Sequence, residues 1–289
     1  MKRIFLVLAM FTGVSCFSQD DNNTDHSGIH PDCTSLRHFL DLFTIHGMPQ
    51  YQKENDSVSI LINHGYCLGF SKKYNQPIWA AYQVSRAKKF VDYERFPFFV
   101  DDHRLEKEHQ VGSETFGGGF DRGHMVPNAA INKQFGKLSQ METFIMSNIC
   151  PQKANLNQGV WQKLEAAILN TYPNKLGDTA HVWVLVGPVF HPIEDSIKFI
   201  TRPNGVKVAI PESFFCILTR PVRFPQDSPG SAQYLAFIFP QGLPKSQAIS
   251  KSFLVSINKI EEATRINFFP SFSLTQQNNL ETVKAGALW

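Results

Sequence analysis

The hydrophobic pattern of this chain is mostly that of short strands. Runs rich in β-branched and aromatic residues lie at Val58–Ile62, Tyr66–Ser71 and Pro77–Val84, with turn residues Asn63-His64-Gly65 and Asn75-Gln76-Pro77 between them. They predict the opening of an antiparallel sheet, and runs of the same kind recur at His181–Val186, Gly205–Ile210, Phe214–Thr219 and Tyr234–Phe239. Helical periodicity is rarer. Trp161, Leu164, Ile168 and Tyr172 recur at three- and four-residue spacing, which predicts a helix beginning near Asn157. Asn155 and Asn157 are placed to cap its start, and Pro173 limits its end. A second helix is predicted from about Ser246 to Ala263, with Ile249, Phe253, Ile257 and Ile260 on one stripe. Strands and helices mix without a regular βαβ alternation, and no linker is visible after residue 40. The expected fold is a single α+β domain.

The N-terminus departs from this pattern. Met1-Lys2-Arg3 precedes an apolar run from Ile4 to Val14, followed by small and polar residues up to Gln19. A spanning helix needs about 20 apolar residues, so a run this short reads as a signal peptide. Residues 1–19 are taken as signal, 20–54 as a polar leader and N-terminal extension, and 55–289 as the functional domain. The expected location is secreted or periplasmic, with no integral membrane span after signal removal. A lipid anchor at Cys16 stays open, because Gly13-Val14-Ser15-Cys16 has the small residues of such a signal without its usual branched first residue.

With 289 residues and 43% hydrophobic content, the chain can bury a sizeable core. Beyond the signal, Cys33, Cys67, Cys150 and Cys216 suit one or two disulfides in an oxidising compartment, with connectivity open. No Cys-x-x-Cys pair occurs, which argues against a zinc knuckle. Removing the signal takes away Lys2 and Arg3 and no acid, so the formal charge falls from +3 to +1 and lends no support to polyanion binding. The local balance differs. Between Arg122 and Lys175 lie Arg122, Lys133, Lys137, Lys153, Lys163 and Lys175 against Glu142 and Glu165. That excess suits a phosphate-attracting cleft, and equally a solvated surface with scattered lysines.

The candidate chemistry sits in that same stretch. Gly117-Gly118-Gly119 reads as a flexible turn feeding an extended segment, Phe120-Asp121-Arg122-Gly123-His124-Met125-Val126-Pro127. Residues two apart on such a segment share a face, so Arg122 and His124 should point the same way. An imidazole with a reference pKa of about 6.5 is mostly uncharged at neutral pH and can take a proton from water, which makes His124 a candidate general base. The competing reading is a histidine hydrogen-bonded inside the core.

Asn157 and Glu165 are eight residues apart on the predicted helix, about 12 Å along its axis and roughly 80° around it. On a regular helix they cannot both touch one ion. The consistent arrangement has the Asn157 carboxamide oxygen on a cation and the Glu165 carboxylate holding a cation-bound water. One neutral ligand with several retained waters suits Mg²⁺. The competing readings are a helix cap for Asn157 and a solvated face for Glu165. Asn148 is expected to orient the histidine or the ligand loop, against a plain turn hydrogen bond. Arg122 is expected to hold a phosphate oxygen, against a salt bridge with Asp121. Trp161 reads as a core anchor and Asp121 as structural. Asp101, Asp102, His103, Glu106 and His109 could ligate a metal but read as charged surface. No Gly-x-Ser-x-Gly elbow supports a serine hydrolase.

Taken together, Asp121-Arg122-Gly123-His124, Asn148, Pro151-Gln152 and Asn157-Gln158-Gly159…Trp161…Leu164-Glu165 resemble the DNA/RNA non-specific endonuclease family. These are the ββα-metal, or His-Me finger, nucleases that include endonuclease G and secreted bacterial nucleases. The likeness extends to Pro77–Tyr82, Val186–Phe190, Val208–Phe215 and Ile260–Pro270, and so covers roughly residues 55–270. It implies a mixed, largely antiparallel sheet core with a ββα-metal site, and a single Mg²⁺, with Mn²⁺ as a substitute. It further implies His124 as the base that activates water, Asn157 as the metal ligand, Glu165 as the holder of metal-bound water, and Arg122 and Asn148 in support. The implied activity is endonucleolytic cleavage of DNA and RNA to 5′-phosphate ends. One position departs from the pattern: Leu169 stands where some members carry an arginine one helical turn after the glutamate, which leaves phosphate contacts and turnover open. The expected partners are DNA and RNA, with a homodimer and an inhibitor protein left open. Two alternatives remain: a catalytically weak nucleic-acid-binding protein of the same fold, and a small-nucleotide phosphodiesterase.

Overall fold

The computed structural model describes residues 40–52, 56–86, 93–173, 181–221 and 232–289. The expected signal peptide, Cys16, Cys33 and most of the leader lie outside the described residues. The strands β1 to β4 are Gln50–Tyr51, Val58–Ile62, Tyr66–Ser71 and Gln76–Ser85, and β5 and β6 are Phe120–His124 and Ile149–Lys153. They are followed by β7 to β11, which are His181–Val189, Phe199–Thr201, Lys207–Ala209, Ser213–Arg220 and Gln233–Pro240. Two short strands, β12 and β13, are Leu254–Val255 and Ile266–Asn267. The helices α1 to α5 are Asn128–Phe135, Lys137–Glu142, Gln162–Asn170, Ile257–Thr264 and Leu274–Glu281. Each predicted strand is present, with ends displaced by a few residues.

Seven strands form one sheet in the order β12-β11-β10-β7-β4-β3-β2, every neighbouring pair antiparallel. Both faces of this sheet are buried, because alternate side chains each meet a covering layer. On the front face Ala80, Tyr82, Val84, Val184, Val186, Phe214, Cys216 and Phe237 pack against Leu156, Val160, Trp161, Leu164 and Ile168. On the back face Ala81, Leu185, Phe215 and Ile217 pack against Ile257, Ile260, Phe268, Phe269 and Phe272. Each fully buried large apolar side chain contributes roughly 1.5–3 kcal/mol relative to an exposed one. Residues 40–52 join the back layer through Leu40 and Phe43, and β1 pairs with β13.

Three expectations are corrected. The predicted helix over Ser246–Ala263 is confined to Ile257–Thr264, because Leu254–Val255 extend to pair with Ala236–Phe237 and Ser256 Oγ accepts from Lys259 N to start the helix afresh. Its stripe is divided accordingly, with Ile249 and Phe253 against the front core and Ile257 and Ile260 in the back. Asn155 and Asn157 do not cap: the helical turn Ala154–Leu156 follows Lys153 with no side-chain cap bond. The disulfides expected of Cys67, Cys150 and Cys216 are not formed. All three are buried free thiols, with Cys67 on the back face and Cys150 and Cys216 on the front. Among the described residues no helix is long and apolar enough to cross a membrane.

Candidate active site

Against the front face lies a separate two-stranded ribbon in which β5 pairs with β6, Phe120 opposite Lys153 and His124 opposite Ile149. The Gly117–Gly119 turn that feeds it has positive φ at all three residues, a run that side chains with a Cβ resist. After β6 the chain enters Ala154–Leu156, a π-helical turn Asn157–Trp161, and α3. Two strands and a helix thus converge on one place.

His124 ends β5 and is 8% exposed, with the Phe144 ring edge-on at 5.0 Å and the Phe99 ring at 5.5 Å. Phe99 also lies 3.9 Å beneath the Arg122 guanidinium, so Arg122 and His124 do share a face. His124 Nε2 is buried with no hydrogen-bond partner among the described residues. Burial, then Arg95 and Arg122, push the imidazole down to about 3, so it is uncharged at neutral pH. A phosphate held by those guanidinium groups would oppose part of that depression.

Asn148 is fully buried and its carboxamide is consumed by backbone. Oδ1 accepts from Val126 N at 2.9 Å, while Nδ2 donates to Val126 O at 3.0 Å and Thr143 O at 2.9 Å. It therefore fixes the chain just past His124. Behind it, Ser147 Oγ donates to Asp102 Oδ2 at 2.6 Å, and Arg104 grips the same carboxylate through Nε and Nη2 at 2.8 and 2.7 Å. Burial raises Asp102, but the Arg104 fork and the Ser147 hydroxyl outweigh it and hold the carboxyl below its ordinary range.

Asp102, read from sequence as charged surface, is only 4% exposed. Its neighbours are also occupied: Asp101 accepts from Gly112 N, Glu106 pairs with Lys72, and His109 Nδ1 meets Asn75 Oδ1. Among the described residues no group of three or more acidic, histidine or cysteine side chains could hold a metal.

Arg122 does not pair with Asp121; its Nη1 donates to Ser113 O at 2.6 Å. Arg202, buried on the β8–β9 hairpin, secures that loop by donating to the carbonyls of Val111, Gly112, Glu114 and Thr115. Asp121 instead joins strand to helix. Its Oδ2 accepts from Asn157 Nδ2 and from Gln158 Nε2, both at 2.9 Å. The Asn157 amide is thereby oriented, and its Oδ1 has no partner among the described residues.

The helix is not the regular one assumed from sequence. Gly159 lies off helical geometry at φ −114°, ψ −114°, and a Cβ there would approach Lys245 O to 2.9 Å. The chain is therefore kinked at Gly159, between the turn that carries Asn157 and the helix α3 that carries Glu165. Glu165 is half-buried. Burial raises its carboxyl to about 8, against the opposing pull of the Trp161 indole and Arg95. The Trp161 Nε1 nonetheless lies outside hydrogen-bonding geometry with any described partner. Trp161 itself anchors the core between Phe214 and Phe239. Leu169 packs on the front core.

Sequence reasoning missed Arg95. It lies 5.1 Å over the Phe144 ring and its charge reaches His124, Arg122 and Glu165. Its only sequence signal was a basic residue among aromatics, Tyr93-Glu94-Arg95-Phe96-Pro97-Phe98-Phe99.

A carboxamide oxygen without a partner among the described residues, with a carboxyl group further along the same helical segment, fits a hard divalent cation that keeps most of its waters, and fits poorly a softer metal needing several nitrogen or sulfur ligands.

Comparison with known proteins supplies the family. The family model described as DNA/RNA non-specific endonuclease matches residues 47–273. Human mitochondrial endonuclease G is 28% identical over 233 residues, covering 77% of this chain and 73% of that protein. Bovine endonuclease G is 30% identical over 65% of this chain, which spans 61% of the bovine protein. A nuclease of Serratia marcescens is 26% identical over 81% of this chain and 83% of its own length. Among solved structures, that of an EndoG/EndoGI complex superposes with a TM-score of 0.65 at 19% identity, covering 83% of this chain and 94% of that one, a likeness of fold. With a match spanning most of the described sheet and the whole ββα unit, the chain belongs to the DNA/RNA non-specific endonuclease family.

Proposed function

We propose that the protein is an exported, Mg²⁺-dependent endonuclease that hydrolyses DNA and RNA phosphodiesters to 5′-phosphate ends. The observation that carries this reading is the Asp121–Asn157 bond, which draws the helix carboxamide beside the strand that ends in an uncharged His124. His124 accepts the proton of the attacking water, a task that requires the neutral imidazole. Asn157 Oδ1 would hold the cation, and Glu165 would orient water around it. When bound, the cation neutralises charge on the scissile phosphate and the departing 3′ oxygen. Arg122 and Arg95 bind non-bridging phosphate oxygens, so Arg95 supplies the positive charge that Leu169 does not. Asn148 acts through position: its two bonds to the Val126 backbone fix the segment that carries the imidazole, and a third ties it to Thr143 O. None of these groups reads a base edge, which accounts for action on both sugars. Export rests on the basic and apolar N-terminus, and an inhibitor partner on the EndoG/EndoGI precedent.

The test is incubation of the purified protein with plasmid and with RNA, in Mg²⁺ and in chelator. Cleavage of both, abolished by chelator, is expected. Metal-independent cleavage, or binding without cleavage, would overturn the proposal.

A further inference from the structure

The segment Tyr93–Phe99 interleaves four aromatic rings with Arg95 at the rim of the site. Two of those rings are already committed. Phe99 lies under Arg122 and against His124, and Phe96 meets the Phe144 ring edge-on at 5.8 Å. Phe98 differs: it is 65% exposed, and its ring contact among the described residues is an edge-on approach to Phe96 at 5.9 Å. The rings step outward from His124 through Phe144 and Phe96 to Phe98, each contact edge to face. A phenyl ring is thereby left largely exposed to solvent on the segment that carries Arg95, whose guanidinium lies over the same Phe144 ring that Phe96 meets.

A polynucleotide matches both features at once, with phosphates for the cations and flat bases for the ring. We propose that Phe98 is a stacking platform for an unpaired nucleobase of the strand being cut, giving the enzyme a preference for single-stranded or locally unpaired DNA and RNA. This rests on the nucleolytic reading of the same site. In a duplex each base already has neighbours on both faces, and reaching Phe98 costs an unstacking step that a single strand does not incur. Every base has a π face, so such a contact adds affinity without adding sequence preference.

The test separates stacking from cleavage. With chelator present, a single-stranded oligonucleotide bearing 2-aminopurine should be quenched on binding to the full-length wild-type protein. Phe98→Ala should lose the quenching and raise Kd about tenfold, within the range of one base–aromatic stack. Phe98→Trp should restore both. On an abasic oligonucleotide, wild type and Phe98→Ala should bind within about twofold of each other. Equal binding of the aminopurine strand by wild type and Phe98→Ala would overturn the proposal, as would an equal loss on the abasic strand. A change confined to self-association of the chain would overturn it too, assigning Phe98 to a contact between copies. Quenching without Mg²⁺-dependent cleavage would remove the nuclease reading and keep the base platform; cleavage unaffected by Phe98→Ala on single and double strands would do the reverse.

Discussion

The strand side and the helix side of the site are held in different ways. On the strand side, His124 sits at the end of a paired ribbon. The backbone beyond it is pinned by two Asn148 bonds to Val126, the turn of Asn148 is held by Ser147 and Asp102, and the loop bonded to Arg122 is secured by Arg202. On the helix side, Asn157 is oriented by one bond to Asp121 within a π turn whose glycine leaves helical geometry. A proton acceptor must be aligned closely with the water it activates, whereas a single oxygen ligand tolerates adjustment by the cation's own waters. The irregular winding at Gly159 lies on the helix side, between Asn157 and Glu165.

Substitutions on the two sides should separate accordingly. His124→Ala should give the largest effect, lowering kcat by about 10²–10⁴ with an unaltered circular dichroism spectrum, while loss of a ring packed against Phe144 and Phe99 lowers the melting temperature. A rate within tenfold of wild type in steady-state assays would end its assignment as base. Asn157→Ala should raise the Mg²⁺ concentration for half-maximal activity at least tenfold with an unaltered circular dichroism spectrum. An unchanged metal titration would point to another ligand. Asp102→Asn should cost about 1–3 kcal/mol in denaturant unfolding, because it weakens a buried carboxylate gripped by Arg104 and Ser147. Its smaller effect on turnover would arise through the Ser147–Asn148 turn.

The smallest change at neutral pH concerns the back face, where Glu281 is 3% exposed with Oε1 unpartnered. Burial, then the charge of Glu261, raise the Glu281 carboxyl to about 7 from an ordinary 4.5. Burial likewise raises Glu261. The folded state binds protons more tightly than the unfolded chain, so this contribution is fully present below about 4.5 and is lost as pH rises through about 7. Glu281→Gln should flatten that slope and add roughly 1–2 kcal/mol at pH 8. Parallel stability curves for the two proteins between pH 5 and pH 8 would show that the pair does not titrate in this range.

The strands were legible because alternation and turn residues are local signals, and Asp-Arg-Gly-His was legible because its chemistry is contiguous in the chain. The short helices Asn128–Phe135 and Lys137–Glu142 were not read: at eight and six residues they are too short to show a repeating stripe, and Gly136, with φ 85°, separates them. The stripe at Ile249, Phe253, Ile257 and Ile260 was misread as one helix because spacing does not reveal that the chain crosses the sheet edge between them. Likewise, nothing in a one-dimensional pattern distinguishes the buried Asp102 from its exposed neighbour His103, or announces that Arg95 reaches Glu165 across the fold. The kink at Gly159 was hidden for a similar reason, since the Lys245 backbone that approaches it is distant in the sequence.

The unpaired thiols have a practical consequence. Cys67, Cys150 and Cys216 are fully buried, and burial lifts each thiol far above its ordinary range, so at neutral pH none presents a reactive thiolate. The packed domain needs no cross-link among them and should be indifferent to reductant, while alkylating reagents should label these sulfurs only when the sheet opens. Cys67 behind the sheet and Cys216 in front of it are thus built-in reporters of which layer departs first.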